Sequence, residues 1–426
     1  MNRALSDDDR RRADTFVDRD AADIAICGAG PVGAACALLL VEAGFPASRV
    51  ALVGARTRDA AAADDRMIAL AYGSATLLAR LGVWRDRAEA CATPIEAIHV
   101  SQRGRFGRTV ITRDDYGVPA LGYVIRYGDL ATAFDAALEA SGVAVARPLR
   151  VARVTQDADA FALELARPGE NDAQDTTGEA TMRTMRARYA VHAEGNSFDA
   201  QAERAVHRNY DQSAVTAFVV ADGASDRLAY TAFERFTEAG PIALLPARQD
   251  QRFGYSLVWC GRPEEAEAHM ALSDAQFLDA LHTSFGDRLG RFTAVGMRRN
   301  FPLGLNAVAA VARASSPRSA EFAIGNAAQT LHPVAGQGLN LGLRDAFALA
   351  TAMRDHFDDA HTLVATFTAA RRIDRAATVG LTDFMPRVFA SRLWPVVAAR
   401  GGALALLDLF SPARNLMARQ MMNGRR

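Results

Sequence analysis

The sequence predicts a mixed α/β fold with more than one domain, and three observations support this prediction. The chain has 426 residues, which is enough for two or three hydrophobic cores. A strand, a glycine-rich turn, a helix and a second strand follow one another between residues 23 and 53, as in a βαβ unit. Short strands and turns replace this pattern from about residue 205 to 312, and strand–helix alternation returns at Glu321.

The composition is that of a globular protein, because 50% of the residues are hydrophobic and 23% are charged. Basic and acidic residues balance at 49 each. This balance argues against a nucleic-acid partner, since phosphate-binding domains usually carry a basic excess. All 49 basic residues are arginine, so chemistry through a lysine Schiff base is excluded.

The cysteines Cys27, Cys36, Cys91 and Cys260 form no CxxC pair and do not cluster with histidines. No metal site and no disulfide framework are therefore expected, and the chain is predicted to be cytoplasmic. Residues 1–20 are charged throughout, which predicts a disordered tail rather than a signal peptide. The sequence contains no run of 18 apolar residues, so no membrane-spanning helix is predicted.

The first predicted element is a buried strand, Asp23–Cys27, followed by a GxGxxG turn. A helix is predicted from about residue 31 to 43, with proline in its first turn, and a second strand covers residues 49–53. In a dinucleotide site the three glycines provide a tight turn, room for the pyrophosphate and close helix–strand packing. A turn that merely packs is the alternative. The glycines concerned are Gly28, Gly30 and Gly33.

The end of the second predicted strand departs from the usual dinucleotide pattern. An acidic residue at this point commonly holds the adenosine ribose. This chain has Gly54 there instead, with Arg56 two residues further on. A nearby arginine is typical of proteins that accept the 2′-phosphate of NADP, so an NADP-dependent dehydrogenase stays open as an alternative.

Later segments predict a second domain that is inserted into the first. Alternating runs between residues 93 and 125 predict hairpins of an antiparallel sheet, and a long helix is predicted from about Leu339 to Phe357. The predicted division is a disordered tail, 1–20; a discontinuous nucleotide-binding domain, 21–92, 126–204 and 313–380; an inserted domain, 93–125 and 205–312; and a C-terminal helical segment, 381–426.

The segment from Gly325 to Asp345 carries the most information about function. It reads as the end of a strand, a glycine-rich loop containing asparagine, glutamine and histidine, and the start of the long helix. This order gathers backbone N–H groups toward an anionic or carbonyl-rich group. An ordinary glycine-rich turn with helix caps is the alternative, and the loop is too elaborate for that.

The run from His332 to Asp345 closely resembles the signature of the flavin-dependent hydroxylases of ubiquinone biosynthesis. These enzymes belong to the aromatic-ring hydroxylase superfamily, with the fold of p-hydroxybenzoate hydroxylase. The resemblance extends over about residues 22–385. Combined with Thr330–Pro333, the segment Gly325–Gln329 is most similar to the 2-polyprenyl-6-methoxyphenol hydroxylase branch. Further matching segments are Asp65–Ser74, Leu81–Trp84, Thr93–Arg108 and Gly240–Pro246.

The resemblance implies a Rossmann-like FAD-binding domain with an inserted substrate domain, and it implies roles for individual residues. The pyrophosphate of FAD would lie on the GxGxxG turn, and Asn326 would contact the ribityl chain. Glu194 and Gly195 stand where the superfamily has an Asp-Gly pair that serves FAD and NADPH. Other branches carry aspartate more often where this chain has Asn326. The other implied cofactor contacts are Arg66, Arg126, Gly325, Pro333, Gly336, Gln337, Gly338, Leu339 and Asn340.

The resemblance also implies the reaction. FAD reduced by NAD(P)H would react with O2 to give a C4a-hydroperoxide, which hydroxylates a polyprenylated (methoxy)phenol. His332 is the candidate for a proton relay, and holding the loop is its alternative role. A hydroxylase of a soluble aromatic compound is the second function. A non-catalytic scaffold of the biosynthetic complex is the third, because Gly54, Glu194 and Asn326 alter three acidic contacts of the site.

The C-terminal segment from residue 384 to 426 alternates apolar residues with arginines. This pattern is typical of an interfacial helix that gives access to a lipid-like substrate at the inner face of the cell membrane. A helix packed on the protein's own core or on another ubiquinone-biosynthesis protein is the alternative. The expected partners are therefore a polyprenylated phenol, a membrane surface in peripheral contact and proteins of the same pathway, with no nucleic acid.

Overall fold

The computed structural model describes residues 21–84, 87–104, 107–157, 159–167, 183–195, 206–223, 226–330 and 336–390, together with residues 415, 418, 419 and 422. The predicted tail lies outside these residues. So do His332, Pro333 and most of the segment after residue 390.

Strands and helices alternate along the chain, and the mixed α/β class predicted from the sequence is confirmed. The strands are β1 (Ala21–Cys27), β2 (Val50–Val53), β3 (Met67–Ala71), β4 (Thr93–Ile95), β5 (Ala97–Gln102), β6 (Arg108–Thr112), β7 (Gly122–Arg126), β8 (Ala144–Ala146), β9 (Arg150–Asp157), β10 (Ala160–Ala166), β11 (Arg183–His192), β12 (Val206–Ala221), β13 (Thr231–Phe236), β14 (Pro241–Gln249), β15 (Arg252–Gly261), β16 (Phe292–Val295), β17 (Arg299–Ala307), β18 (Ala312–Ala314), β19 (Ala320–Ala323) and β20 (Gln329–Thr330). The helices are α1 (Pro31–Glu42), α2 (Arg58–Ala62), α3 (Tyr72–Arg80), α4 (Arg87–Cys91), α5 (Tyr127–Ser141), α6 (Asp226–Ala229), α7 (Pro263–Ala271), α8 (Asp274–Phe285), α9 (Gln337–His356) and α10 (Ala360–Ala390).

The eight-stranded sheet has the order β18-β19-β11-β1-β2-β8, and β10 and β9 continue from β11. The predicted βαβ unit is confirmed, because β1 and β2 pair in parallel and α1 connects them. The second half of β1, Ile24–Cys27, is buried on both faces, which explains its unbroken apolar sequence. Ile24 and Ile26 belong to the core under α1 and α9, whereas Ala25 and Cys27 pack on the side of β9 and β10.

The nine-stranded sheet is mostly antiparallel, with the order β20-β17-β12-β15-β14-β13-β5-β6 and with β16 beside β12. One face of this sheet packs against α7 and α8. Phe233, Tyr255 and Trp259 from the strands meet Phe277 and Phe285 from α8 in that core. The hairpin predicted between residues 93 and 125 is confirmed by the antiparallel pair β5–β6.

A three-stranded sheet, β3-β7-β4, packs against the opposite face of the nine-stranded sheet. Ala232 and Ala247 of the large sheet form a cluster with Ile95 and Val124 of the small sheet. The large sheet therefore has one face covered by helices and one face turned toward β3 and β7. The assignment of residue ranges to an FAD-binding and a substrate domain stays a prediction.

Candidate functional site

Polar groups collect at one edge of the eight-stranded sheet. Cys27 at the end of β1 pairs with Val53 on one side and with His192 on the other. His192 in turn pairs with Ala323 of β19. Because these strands are parallel, the segments that follow them emerge at the same edge. The glycine turn after β1, Glu194 after β11 and the loop after β19 therefore lie together.

The three glycines of the GxGxxG turn meet three different requirements. Gly28 has φ of +113°, and a Cβ there would lie 2.7 Å from the carbonyl carbon of Ala193. A Cβ at Gly33 would collide with the carbonyl oxygen of Gly28. Over Gly30 there is space, since the nearest described atom to a Cβ built there is the hydroxyl oxygen of Tyr127 at 3.6 Å. The turn thus combines close packing with an open middle position, as a pyrophosphate requires.

Helix α1 starts directly at this open position. Gly30 is its N-cap and provides no side-chain hydrogen bond to the first turn, and Pro31 follows. The first N–H groups of a helix carry a positive partial charge and lack partners within the helix. This end of α1 is therefore suited to hold a phosphate anion.

Close packing at the end of β2 explains why residue 54 is glycine. A Cβ at this position would lie 2.5 Å from the Cβ of Ala29 and 3.2 Å from Nε of Arg147. The guanidinium of Arg147 is buried, donates to the carbonyl of Ala29 at 2.9 Å and pairs with Asp135 at 2.8 Å. An acid at position 54 has no room, because Arg147 and the turn itself occupy that space.

Two arginines and a tyrosine surround Asp64 beside the glycine turn. Arg66 donates to the carboxylate at 2.7 and 2.9 Å, and Arg56 donates to it at 3.0 Å. Although burial opposes the shift, these hydrogen bonds lower the pKa of Asp64 to about 2. Both guanidinium groups lie over the ring of Tyr127, at 5.1 and 5.7 Å from its centre. The cluster gives the phosphate side of the site positive charge in a fixed position.

Arg126 contacts neighbouring helices in the described structure. Its guanidinium pairs with Asp129 at 2.8 Å and donates to the carbonyl of Ala62 at 3.2 Å. In the β3–β7 pair Arg126 stands opposite Met67, one residue from Arg66. Arg126 thus connects α5 with α2 and carries Tyr127 next to Arg66.

Gly195, which follows Glu194, and Asn326 come together beyond the ends of β11 and β19. A Cβ built at Gly195 would lie 3.6 Å from Nδ2 of Asn326. Burial raises the pKa of Glu194, while His192 and Arg150 oppose the shift. The predicted pair of residues after β11 and the predicted ribityl contact after β19 are therefore neighbours at the sheet edge.

The loop after β19 is held from below by a buried carboxylate. Gly325 has φ of +59°, and its N–H donates to Asp345 of α9 at 3.0 Å. Gln329 donates to the same oxygen at 3.0 Å, and Arg371 of α10 donates to the other oxygen at 2.7 Å. Close packing against Val32 of α1 leaves 3.1 Å for a Cβ at Gly325. Asp345 therefore fixes the loop that carries Asn326.

The start of α9 faces β3. Gly336 is the N-cap with φ of +57°, and within the described residues no atom lies within 4 Å of a Cβ built at Gly338. The side chain of Asn340 is occupied by the backbone: Nδ2 donates to Gly336 and to Ala69, and Oδ1 accepts from Ala71 at 2.8 Å. Asn340 thus ties α9 to β3, while Leu339 packs on the main core and Gln337 is buried.

An apolar cavity adjoins this helix start, between the nine-stranded and three-stranded sheets. It is partly open to solvent, and its space, with the solvent-open part included, is about 510 Å³. Nearly all of its lining is apolar, with the two polar side chains contributed by α9. The lining residues are Ala69, Leu70, Ala71, Ile95, Ile98, Ile111, Leu121, Gly122, Gln337, Asn340, Ala418 and Met422.

Part of the C-terminal segment packs on this cavity. Ala418 and Met422 are buried in one cluster with Ile111 and Leu121. The hydroxyl of Tyr116 donates to Oδ1 of Asn415 at 3.1 Å. The sequence left open whether this segment lies on a membrane surface or packs on protein. The structure shows that these residues pack on the protein's own core.

One acid of the nine-stranded sheet has no polar partner. Glu234 lies on β13, and within the described residues its side chain makes no hydrogen bond and no ion pair, with Oε1 closed to solvent. Burial raises its pKa to about 7. Glu234 was not among the residues predicted from the sequence, although two adjacent charged residues between phenylalanines in a short strand were a usable signal.

Other missed residues are those that hold the site from behind, such as Tyr127, Arg147 and Arg371. Their contacts come from distant parts of the chain, so spacing along the sequence does not reveal them. Within the described ranges, no cluster of histidine, cysteine, aspartate and glutamate is suited to a metal ion. No helix in the part of the chain that is described combines the length and apolar character of a membrane span.

The described residues fit FAD. The open turn at Gly30 and the start of α1 suit its pyrophosphate, and the start of α9 at Gly336 and Gly338 offers a second set of backbone N–H groups. Gly325, which precedes Asn326, packs against Val32 in the first turn of α1 and against Gly342 of α9, so the loop lies beside both helices. His332 and Pro333 fall between β20 and Gly336, outside the described residues.

Comparisons with known proteins agree with this geometry. The profile of a family described as "FAD binding domain" matches residues 21–379. The chain is 30% identical to ubiquinone hydroxylase UbiL of Rhodospirillum rubrum, over 94% of this chain and 89% of the relative. It is 26% identical to the human mitochondrial ubiquinone biosynthesis monooxygenase COQ6, over 92% and 90% of the two chains.

The fold is that of a solved monooxygenase. The crystal structure of p-nitrophenol 4-monooxygenase PnpA from Pseudomonas putida superposes with a TM-score of 0.71 at 17% identity, covering 96% of this chain and all of that chain. FAD is thus the cofactor, with NAD(P)H and O2 as the cosubstrates of this kind of enzyme. The chain belongs to the FAD-binding-domain family and is an FAD-dependent monooxygenase.

Proposed function

We propose that the protein hydroxylates a polyprenylated methoxyphenol in ubiquinone biosynthesis. The observation that carries this proposal is the apolar cavity beside the start of α9, where the flavin ring is expected. A phenol ring with a hydrocarbon tail suits walls that consist mainly of alanine, leucine and isoleucine. The names of the relatives, ubiquinone hydroxylase and ubiquinone biosynthesis monooxygenase, support the same substrate class.

In this proposal FAD, reduced by NAD(P)H, supplies an activated oxygen atom from O2 when it is bound. The protein's own residues bind and orient. The turn at Gly28, Gly30 and Gly33 holds the pyrophosphate at the start of α1, and Arg66 adds positive charge there. The N–H groups at the start of α9 stabilise negative charge on the pyrimidine side of the ring. The apolar walls keep water from the reacting oxygen.

Further residues complete the proposed FAD site. Asn326 holds the ribityl chain, Gly195 and Glu194 adjoin it, and Pro333 borders the flavin ring. His332 moves a proton near the ring or holds the loop. Asn340 acts indirectly, since its three hydrogen bonds to the backbone fix the start of α9. Arg126 positions Tyr127 beside the phosphates.

The decisive experiment measures cofactor retention and then turnover. The purified protein is incubated with FAD, desalted and examined by visible absorption, and NADH and NADPH are then compared as reductants under air. The two substrates are a methoxyphenol with a short prenyl tail and 2-methoxyphenol without a tail. We expect retained flavin and a hydroxylated product whose formation depends on O2 and favours the prenylated phenol.

Other outcomes select the alternatives. Equal turnover of both phenols would favour a hydroxylase of soluble aromatics. A protein that retains no flavin, even with excess FAD and a substrate analogue, would favour the scaffold function. Reduction of NADP⁺ by a substrate without consumption of O2 would favour the NADP-dependent dehydrogenase.

Peripheral membrane contact is a separate proposal about the segment after residue 390. It is tested by sedimentation with vesicles that contain anionic lipid, using the full chain and a chain that ends at residue 390. Binding by the full chain that is lost on truncation supports the contact. Retention of binding by the truncated chain contradicts it.

A further inference from the structure

We propose that Glu234 accepts the phenolic hydrogen of the substrate and acts as the base of the hydroxylation. This inference rests on the proposed function and adds a catalytic residue to it. It starts from the placement of a carboxyl group without a polar partner on an apolar protein face.

The face on which Glu234 stands follows from its neighbours on β13. Phe233 and Arg235 point to the helices. The ring of Phe233 and the guanidinium of Arg235 both contact the ring of Phe285 of α8. Side chains alternate along a strand, so Glu234 lies on the same face as Ala232. Ala232 packs against the three-stranded sheet. Glu234 therefore faces the space between the two sheets.

The register places Glu234 two residues along β13 from Ala232, whose neighbour on β5 belongs to the wall of the apolar cavity. Ala232 pairs with Ile98 of β5, and Glu234 pairs with Val100. Ile98 is part of the cavity wall. With about 3.3 Å per residue along a strand and about 4.8 Å between strands, Glu234 lies roughly 8 Å from Ile98 at the backbone. To meet this carboxyl group, a substrate hydroxyl would extend from the cavity into the space between the two sheets.

The surroundings of Glu234 contain no group that competes for its carboxylate within the described residues. Val100 and Ala243 stand opposite it on the two neighbouring strands. The titratable group that faces it is the thiol of Cys260 on β15, whose pKa is raised by burial and by Glu234. An acid kept without a partner in such a place destabilises the fold. A substrate hydroxyl is the partner that its position lacks.

The chemical step is a proton transfer. The O–H bond of the phenol breaks, its proton binds to a carboxylate oxygen of Glu234, and the electron pair stays on the phenolate oxygen. The ring becomes more electron-rich and accepts the oxygen atom that the flavin supplies. Because burial raises the pKa of this acid to about 7, its charged form is available at and above neutral pH, where a base of this kind is most effective.

The test compares the full-length, FAD-loaded protein with Glu234→Gln, Glu234→Asp and a control, Glu267→Gln. Glu267 is exposed on α7. With the prenylated methoxyphenol we expect Glu234→Gln to lower kcat by about 10²- to 10⁴-fold with a much smaller change in KM. The wild-type rate should fall as pH drops through about 7. The glutamine variant should lack this fall, and the aspartate variant should restore part of the rate.

A second readout does not depend on turnover. 4-Nitrophenol is titrated while bound, and its absorption reports how much phenolate has formed. A carboxylate beside the hydroxyl disfavours the phenolate, so Glu234→Gln should lower the pKa of bound 4-nitrophenol. Glu267→Gln should leave it unchanged. A role of Glu234 in folding alone would not move this pKa.

The outcomes separate the two proposals. Unchanged kcat, pH profile and 4-nitrophenol pKa in a folded Glu234→Gln protein would overturn the role of Glu234 while the hydroxylase function stands. A wild-type protein that hydroxylates no prenylated phenol, but whose bound 4-nitrophenol responds to Glu234, would refute the substrate and keep the contact. A wild-type protein that neither turns over nor binds a phenol would refute both.

Discussion

At the scale of single residues, Glu234 shows how burial changes the balance between charge and stability. Its pKa in the folded protein, about 7, lies above the ordinary value of 4.5. At low pH the group is neutral in both the folded and the unfolded chain, so its ionisation does not change the free energy of unfolding. As pH rises from 4.5 through 7 the unfolded chain releases its proton first, and the free energy of unfolding falls.

We therefore predict that Glu234→Gln stabilises the protein in a pH-dependent way. At pH values above 7 the variant should gain up to about 3 kcal/mol in the free energy of unfolding, and near pH 4 the gain should vanish. The measurement is denaturant unfolding of both proteins at the two pH values, followed by circular dichroism. The control Glu267→Gln should show no such difference between the pH values. An equal gain at both pH values would contradict the raised pKa.

Gly54 shows how neighbouring side chains can exclude the acidic residue that is usual at a position. The sequence alone shows that the usual acid is missing. The structure adds that Ala29 and Arg147 already fill the space a Cβ would need. Arg147 at the same time holds the carbonyl of the glycine turn, so the arrangement supports the turn in another way.

At the scale of elements, the buried charges between α9 and α10 determine how firmly the cofactor loop is held. Asp345 binds the N–H of Gly325 and the guanidinium of Arg371, and all three groups are buried. Asp374 of α10 also pairs with Arg371, at 2.9 Å. Helix α10 is thus coupled to the loop after β19 by charge rather than by apolar packing alone.

We predict that Asp345→Asn destabilises the fold and weakens FAD binding. The asparagine keeps the shape but removes one of the two carboxylates that pair with buried Arg371, which should cost about 3 kcal/mol. Thermal unfolding and fluorescence titration with FAD measure the two effects. Asp355→Asn is the matched control, because Asp355 on the same helix forms an exposed pair with Arg354 and such pairs contribute little. Wild-type FAD affinity in Asp345→Asn would contradict the role of this charge.

At the scale of the whole molecule, the C-terminal residues close the apolar cavity from outside. Asn415, Ala418 and Met422 have helical spacing, so they lie on one side of a helix. Their contacts reach Tyr116, Ile111 and Leu121. The wall of the cavity is therefore assembled from residues between 69 and 122, from α9 and from the last ten residues of the chain.

We predict that Met422→Asp detaches the C-terminal residues from the cavity wall. A charge in the cluster with Ile111 and Leu121 is unfavourable, so amide hydrogen exchange should increase in peptides that contain residues 97–122 and 411–426. Arg419→Asp is the control, since Arg419 lies on the same segment and is exposed. Exchange in the FAD turn around Gly28 should stay the same. Equal exchange in both variants would show that the segment does not depend on Met422.

Much of the fold and part of the site followed from sequence patterns. The βαβ unit, the hairpin β5–β6 and helix α9 were predicted because apolar periodicity and glycine position are local properties. Three predicted contacts, Gly195, Gly325 and Asn326, do meet at one edge. Asn340 and Arg126 could not be interpreted in this way, since their partners lie on β3 and α2.

The sequence by itself determined the class of cofactor, because a nucleotide turn needs only neighbouring residues: a strand, three glycines and a helix start. Tertiary structure alone decided which charges are buried, which side chains share a face and where a cavity opens. Glu234 became a candidate base only when the register paired it with Val100 and Ala232, on the same face, packed against the small sheet. Burial and strand register depend on segments far apart in the chain, and local patterns do not contain them.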